Sequence, residues 1–159
     1  MKKTAVFLAL LLLTMVFSSC SEKKEETIAS HVTVNGVELA LGAEFTEEKE
    51  TTLGEPVDMV QAPSCHYDGS DSIYTYDGFT VYTYMQGEKS ILYSVEITDA
   101  AIATPEGAKV GMTQAEIQGL YGDSYEKTAV GMAYSIGEGM TLTFRITDDK
   151  VALIEYYKE

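Results

Sequence analysis

The chain has 159 residues, with 25 acidic against 11 basic side chains and a formal net charge of −14 at pH 7. That balance excludes a nucleic-acid-binding protein and a basic membrane-surface protein, since phosphate-rich partners would be repelled. With two cysteines and no tryptophan, the fold must rest on a packed core and not on a disulfide framework.

Lys2 and Lys3 precede an apolar run from Ala5 to Phe17, broken only by Thr14 and too short to remain in a bilayer as a spanning helix. The run ends in Phe17-Ser18-Ser19-Cys20, where small residues directly precede a cysteine. This resembles a bacterial lipobox, with Phe17 where leucine is usual. The resemblance implies cleavage before Cys20 and transfer of diacylglycerol to its thiol. Residues 1–19 are thus read as a lipoprotein signal peptide, and residues 20–30, through SEKKEET, as a lipidated cysteine and polar tether. Without residues 1–19 the chain keeps 9 basic and 25 acidic side chains. Attachment to a membrane is therefore expected through acyl chains on Cys20, on the outer face, and not through a basic patch.

The remaining chain is expected to form two successive units, residues 31–102 and 103–159. In the first, VTVNGVELALG places two short apolar runs around Asn35-Gly36, a strong hairpin signal. FTEEKETTLGEP reads as a weak helix with Phe45 and Lys49 on one face, stopped by Gly54 and Pro56. SIYTY, FTVYTYM and ILYSVEIT follow as strands of an antiparallel meander, with Asp77-Gly78 as one turn. ATPEGAK, residues 103–109, links the units.

In the second unit Thr113 and Glu116 form a capping box ahead of a helix with Ile117, Leu120 and Tyr121 on one face and Gly122 as its stop. YEKTAV, MAYSI, MTLTFRIT and KVALIEYY read as strands. The order matches the first unit, which predicts a divergent tandem repeat. The expected fold class is α+β: two tandem repeats, each a short helix plus an antiparallel β-meander, with sheets joined edge to edge and helices packed on one face.

A lipobox cysteine, a polar tether and two units carrying a VGMT-x-x-E-I-x-x-L-Y-G-like helix signature resemble the β-lactamase inhibitory protein type of fold and the SmpA/OmlA-type lipoproteins. The stretches APSC-x-x-x-G, from Ala62 to Gly69, and TPEG-x-x-x-G-M-T, from Thr104 to Thr113, are similar to lipoproteins of Gram-positive gut bacteria. The resemblance covers residues 35 to 159 and implies a binding role through the open sheet face or loops. It carries over no contact residue and does not imply β-lactamase inhibition.

Alternation sorts the strands into two faces. A hairpin closed by Asp77-Gly78 pairs Tyr76 with Phe79 and Tyr74 with Val81, leaving Ile73, Tyr82 and Tyr84 on the other side. Ile91, Tyr93, Val95 and Ile97 are sorted to the core, against Leu92, Ser94 and Glu96. Met140, Leu142, Phe144 and Ile146 alternate with Thr141, Thr143 and Arg145. The candidate binding face is therefore Tyr82, Tyr84, Thr141, Thr143 and Arg145, residue types that supply contact area and polar tips at interfaces. The competing reading is that these tyrosines only cover the sheet.

PSCHYDGSDSIYTYDG gathers Cys65, His66, Asp68, Asp71 and Asp77, the densest set of chemically capable side chains. Adjacent residues on a strand point to opposite faces, so Cys65 and His66 do not make a nucleophile and base by themselves. Their spacing fits no zinc pattern, and D-G-S-D-S gives calcium only two carboxylates. Cys65 reads as a small buried side chain, a reactive thiol or one half of an intermolecular bridge. The expectation is a non-catalytic, membrane-anchored surface lipoprotein of a Gram-positive bacterium with no cofactor and no metal, binding a protein at the sheet face. An envelope assembly factor is the alternative, and an enzyme using Cys65 and His66 the more remote one.

Overall fold

The computed structural model describes residues 27–64, 67 and 69–159. Cys20 with the signal peptide, most of the tether, and Cys65, His66 and Asp68 lie outside the described residues.

In chain order the elements are β1 (His31–Val34), β2 (Val37–Ala40), α1 (Glu47–Leu53), β3 (Asp58–Pro63), β4 (Ser70–Tyr76), β5 (Phe79–Gln86), β6 (Lys89–Ile97), α2 (Gln114–Tyr121), β7 (Glu126–Lys127), β8 (Gly131–Gly137), β9 (Met140–Thr147) and β10 (Lys150–Lys158). The expected α+β pair of helix-plus-meander repeats is not what forms. The protein is mostly β: eight strands make one antiparallel sheet in the order β3-β4-β5-β6-β10-β9-β8-β7. Among the described residues the two helices have only 7 and 8 residues. Segments this short hold their shape by caps and packing, not by propensity, and cannot form a layer of their own.

Two rows of side chains across the sheet define its covered face. Tyr74, Val81, Val95, Tyr156, Leu142 and Tyr134 lie opposite one another from β4 to β8. Tyr76, Phe79, Ile97, Ile154, Phe144 and Met132 form the second row. Every member is buried, and the rows join one cluster with Val32, Leu39, Phe45, Leu53, Ala108 and Ile117. The β1–β2 hairpin, both helices and the segment before α2 therefore close over this face. Removing it from water is the main source of stability.

Local chemistry places the covering elements. Asn35 and Gly36 both take positive φ, 51° and 80°, as a tight two-residue hairpin requires. Thr46 caps α1 by accepting from the Lys49 amide, so the helix starts after Phe45 and leaves that ring free to pack on Tyr74, with centroids 5.1 Å apart. At α2 the capping box forms: Thr113 accepts from the Glu116 amide at 3.3 Å, and Glu116 accepts from the Thr113 amide at 2.8 Å. Those Thr113 donors hold the Glu116 carboxyl below its usual range. Tyr134 on β8 donates to the Gly122 carbonyl at 2.9 Å, tying the helix end to the sheet.

Residues 103–109 are packed in, with Thr104 and Ala108 buried. Glu106 accepts from the Ala29 amide at 2.7 Å and from the Tyr121 hydroxyl at 2.9 Å, joining the start of the described chain to α2.

Three further expectations are corrected. β3 was unforeseen; all six of its residues are exposed, and it forms because β4 offers it a full edge. YEKTAV contributes only Glu126–Lys127 as strand. A β-bulge sets Tyr93 and Ser94 against Tyr82, which reverses the alternation on one side of it. Tyr93, expected in the core, consequently turns onto the face of Tyr82 and Tyr84; Ile91 pairs with Tyr84 and is buried as expected, 7% exposed, while Leu92 is 1% exposed among the core residues.

Candidate functional site

The opposite face of the sheet has no described helix or second sheet over it. Its register sets Ile73, Tyr82, Ser94, Tyr157, Thr141 and Ser135 in one cross-strand row. The next row is Thr75, Thr80, Glu96, Glu155, Thr143 and Ala133. Asp71 pairs with Tyr84 at one end, and Arg145 lies opposite Gly131 at the other. Tyr82, Tyr84, Thr141, Thr143 and Arg145 thus share one face. Tyr82, Thr141 and Thr143 are half-buried by their neighbours, and Arg145 is exposed.

Sequence reasoning missed the centre of this face. Tyr93, brought there by the bulge, touches four other rings: Tyr67 at 5.6 Å, Tyr82 at 6.1 Å, Tyr84 at 6.2 Å and Tyr157 at 6.3 Å between centroids. Tyr67 and Tyr84 stack at 3.7 Å with planes 10° apart. Tyr67 also donates to the Lys158 carbonyl at 3.3 Å, which pins the loop before β4 over the end of β10. A bulge in ILYSVEIT leaves no mark on the hydrophobic pattern, so only Tyr157, on the β10 run, was within reach of alternation.

Beside the rings lies a charged group of three. Glu96 and Glu155 are directly opposite each other on β6 and β10, a like-charge pair that opposes sheet formation. Arg145 offsets it, its guanidinium 3.4 Å from Glu155 and 3.8 Å from Glu96. Tyr82 donates to Glu96 at 2.8 Å. Burial, with that bond to Glu96 and its charge, holds the Tyr82 phenol far above its ordinary value. Burial, then the charge of Asp71, pushes Tyr93 up to about 12. Burial also raises Glu155 above the usual carboxylate range, Arg145 opposing and Glu96 adding to the rise. The two tyrosines therefore stay protonated at neutral pH and act as hydrogen-bond donors or contact area, not as bases.

The dense stretch singled out in the sequence divides. Asp71 joins the tyrosine face, whereas Asp77 sits in the β4–β5 turn at the far end of the strand, about 20 Å along the chain. His31 lies on β1, paired with Ala40 on the hairpin over the covered face. Among the described residues no three His, Cys, Asp or Glu side chains come together in a way that would hold a metal ion. A shallow depression beside α1, lined by Glu47, Glu50, Thr51, Gly54, Glu55 and Pro56, carries no grouping of acid, base and nucleophile.

Comparison with known proteins gives little to set beside this geometry. No family model matches the chain, and no curated protein matches it. A solved structure similar to it is the DUF4309 family protein YjgB from Bacillus subtilis, at 14% identity and a TM-score of 0.48, covering 82% of this chain and 88% of that one. That likeness is too distant to carry an argument.

Proposed function

We propose that the protein is a lipid-anchored, extracytoplasmic binding module that engages a protein partner through the open face of its sheet and catalyses no reaction. The observation that carries this reading is the asymmetry of the sheet: one face lies under the hairpin and helices, while the other presents five tyrosines connected through Tyr93, beside an arginine. Tyrosine and arginine dominate binding energy where they are clustered, and clusters of this kind are uncommon on surfaces that meet only water. The anchor rests on the Lys2-Lys3 end, the apolar run and Ser18-Ser19-Cys20.

The binding claim is tested by placing a photo-crosslinking amino acid at Tyr84 or Thr143 and, as a control, at Glu48 on α1, in protein displayed on its own cells. Adducts with a discrete partner are expected from the sheet positions and not from Glu48. Equal adducts from all three would overturn the reading. Cys20→Ala tests the anchor separately, with the protein expected to lose fatty-acid labelling and leave the membrane.

A further inference from the structure

The chemistry of the open face narrows the class of partner, given that this face is the interaction surface proposed above. Among the described residues, charged side chains beside the tyrosine cluster include Asp71, Glu96, Glu155, Glu159 and Arg145, and the single guanidinium is already shared between Glu96 and Glu155. Asp71 is different. Its Oδ1 is buried without a hydrogen-bond partner among the described residues. Its charge reaches both Tyr67 and Tyr93. An anionic oxygen withdrawn from water and left unpaired is costly, and the cost is relieved by any donor that arrives with a positive charge.

The rings around it suit the same visitor. The faces of tyrosine rings attract cations, and the apolar stem of a lysine or arginine packs on aromatic surface while its tip seeks a carboxylate. The wider field agrees, because a chain with 25 acidic against 11 basic residues draws positive groups toward it. The same field argues against a second copy of this chain as the occupant, since two acidic surfaces would be brought together.

We infer that the open face takes a basic segment of a partner protein, with a lysine or arginine side chain laid across the rings around Tyr93 and its cation paired with Asp71. Glu96 and Glu155 hold Arg145 in place and add to the negative rim, so neighbouring cations of the same segment find a favourable field there. The partner is recognised by its charge and its extended basic side chains.

The test uses the full chain, processed and solubilised from membranes, with fluorescently labelled octalysine as the probe and octaglutamate and an uncharged Gly-Ser octapeptide as controls. Octalysine should bind and the controls should not, with affinity falling as salt is raised. Asp71→Asn should weaken octalysine binding about tenfold, while Glu47→Gln, the same change of charge on α1, should alter it less than about twofold. Tyr93→Leu should weaken it about fivefold, provided its melting curve is that of a folded protein. Equal losses from Asp71→Asn and Glu47→Gln would reduce the attraction to bulk charge and overturn the inference. So would equal binding of the Gly-Ser peptide. If either happens while Tyr84 still crosslinks a partner on cells, the cationic-partner inference alone falls. Loss of those crosslinks takes the underlying reading with it.

Discussion

Tyr67 lies flat on Tyr84, ring centroids 3.7 Å apart and planes 10° apart, although Tyr67 belongs to the loop before β4 and Tyr84 to β5. This contact ties Tyr67 to the open face. Tyr67→Ala and Tyr84→Ala should therefore be non-additive, with a coupling energy of about 1 kcal/mol in urea unfolding. Full additivity would mean that the stack contributes nothing in solution.

Glu106 gathers the Ala29 amide and the Tyr121 hydroxyl. Glu106→Ala leaves the Ala29 amide without its acceptor and the Tyr121 hydroxyl with Thr104 alone, and should cost about 1–3 kcal/mol in thermal or denaturant melts. Glu106→Gln retains one acceptor oxygen and should cost less. Equal losses from the two variants would show that packing, and not hydrogen bonding, holds the segment.

Gly131 has φ 153°, and a Cβ built there would lie 2.0 Å from the Phe144 carbonyl oxygen, against backbone that cannot give way. Gly131→Ala should cost about 3 kcal/mol or more through strain and repacking of β8 against β9. Gly36→Ala, where the space is open, meets only the φ penalty and should cost about 1 kcal/mol. Comparable melting points for the two variants would contradict the close approach.

Tyr76, Tyr93 and Tyr134 are each held up to about 12 by burial first of all, with nearby negative groups adding to it. A raised pKa in the folded state contributes stability that is complete below the unfolded value of about 10 and is lost as pH rises through the folded value. Unfolding should accordingly begin above pH 10, with the ultraviolet tyrosinate signal appearing together with loss of structure. Glu155 follows the same sign at lower pH. Its contribution is present below the unfolded carboxylate value and lost as pH rises, so wild type should gain on Glu155→Gln as the solution is acidified.

What the residues themselves revealed follows from the range of the forces involved. The Asn35-Gly36 turn, the Tyr76–Phe79 and Tyr74–Val81 pairings and the Thr113–Glu116 box depend on chemistry within a few residues, and each could be read directly. The fold class could not. Two capped segments suggested a helical layer in each half, but the caps enclose only 7 and 8 residues, and the β1–β2 hairpin does much of the covering. β3 carries no alternation because both its faces are exposed; its pairing is decided by the β4 edge. On the candidate face, Tyr82, Tyr84, Thr141, Thr143 and Arg145 followed from alternation. Tyr93 was missed because a one-residue bulge changes which side it takes while leaving composition untouched.

The central claim, that the tyrosine face of the sheet is occupied by a partner in the cell, is tested most directly by hydroxyl-radical footprinting of the protein on intact cells and in purified form. Tyr84, Tyr93 and Tyr157 should be oxidised less on cells than in isolation, while Leu120 on α2, 43% exposed, should be oxidised equally in both. Equal oxidation of the three tyrosines in the two states would contradict the account.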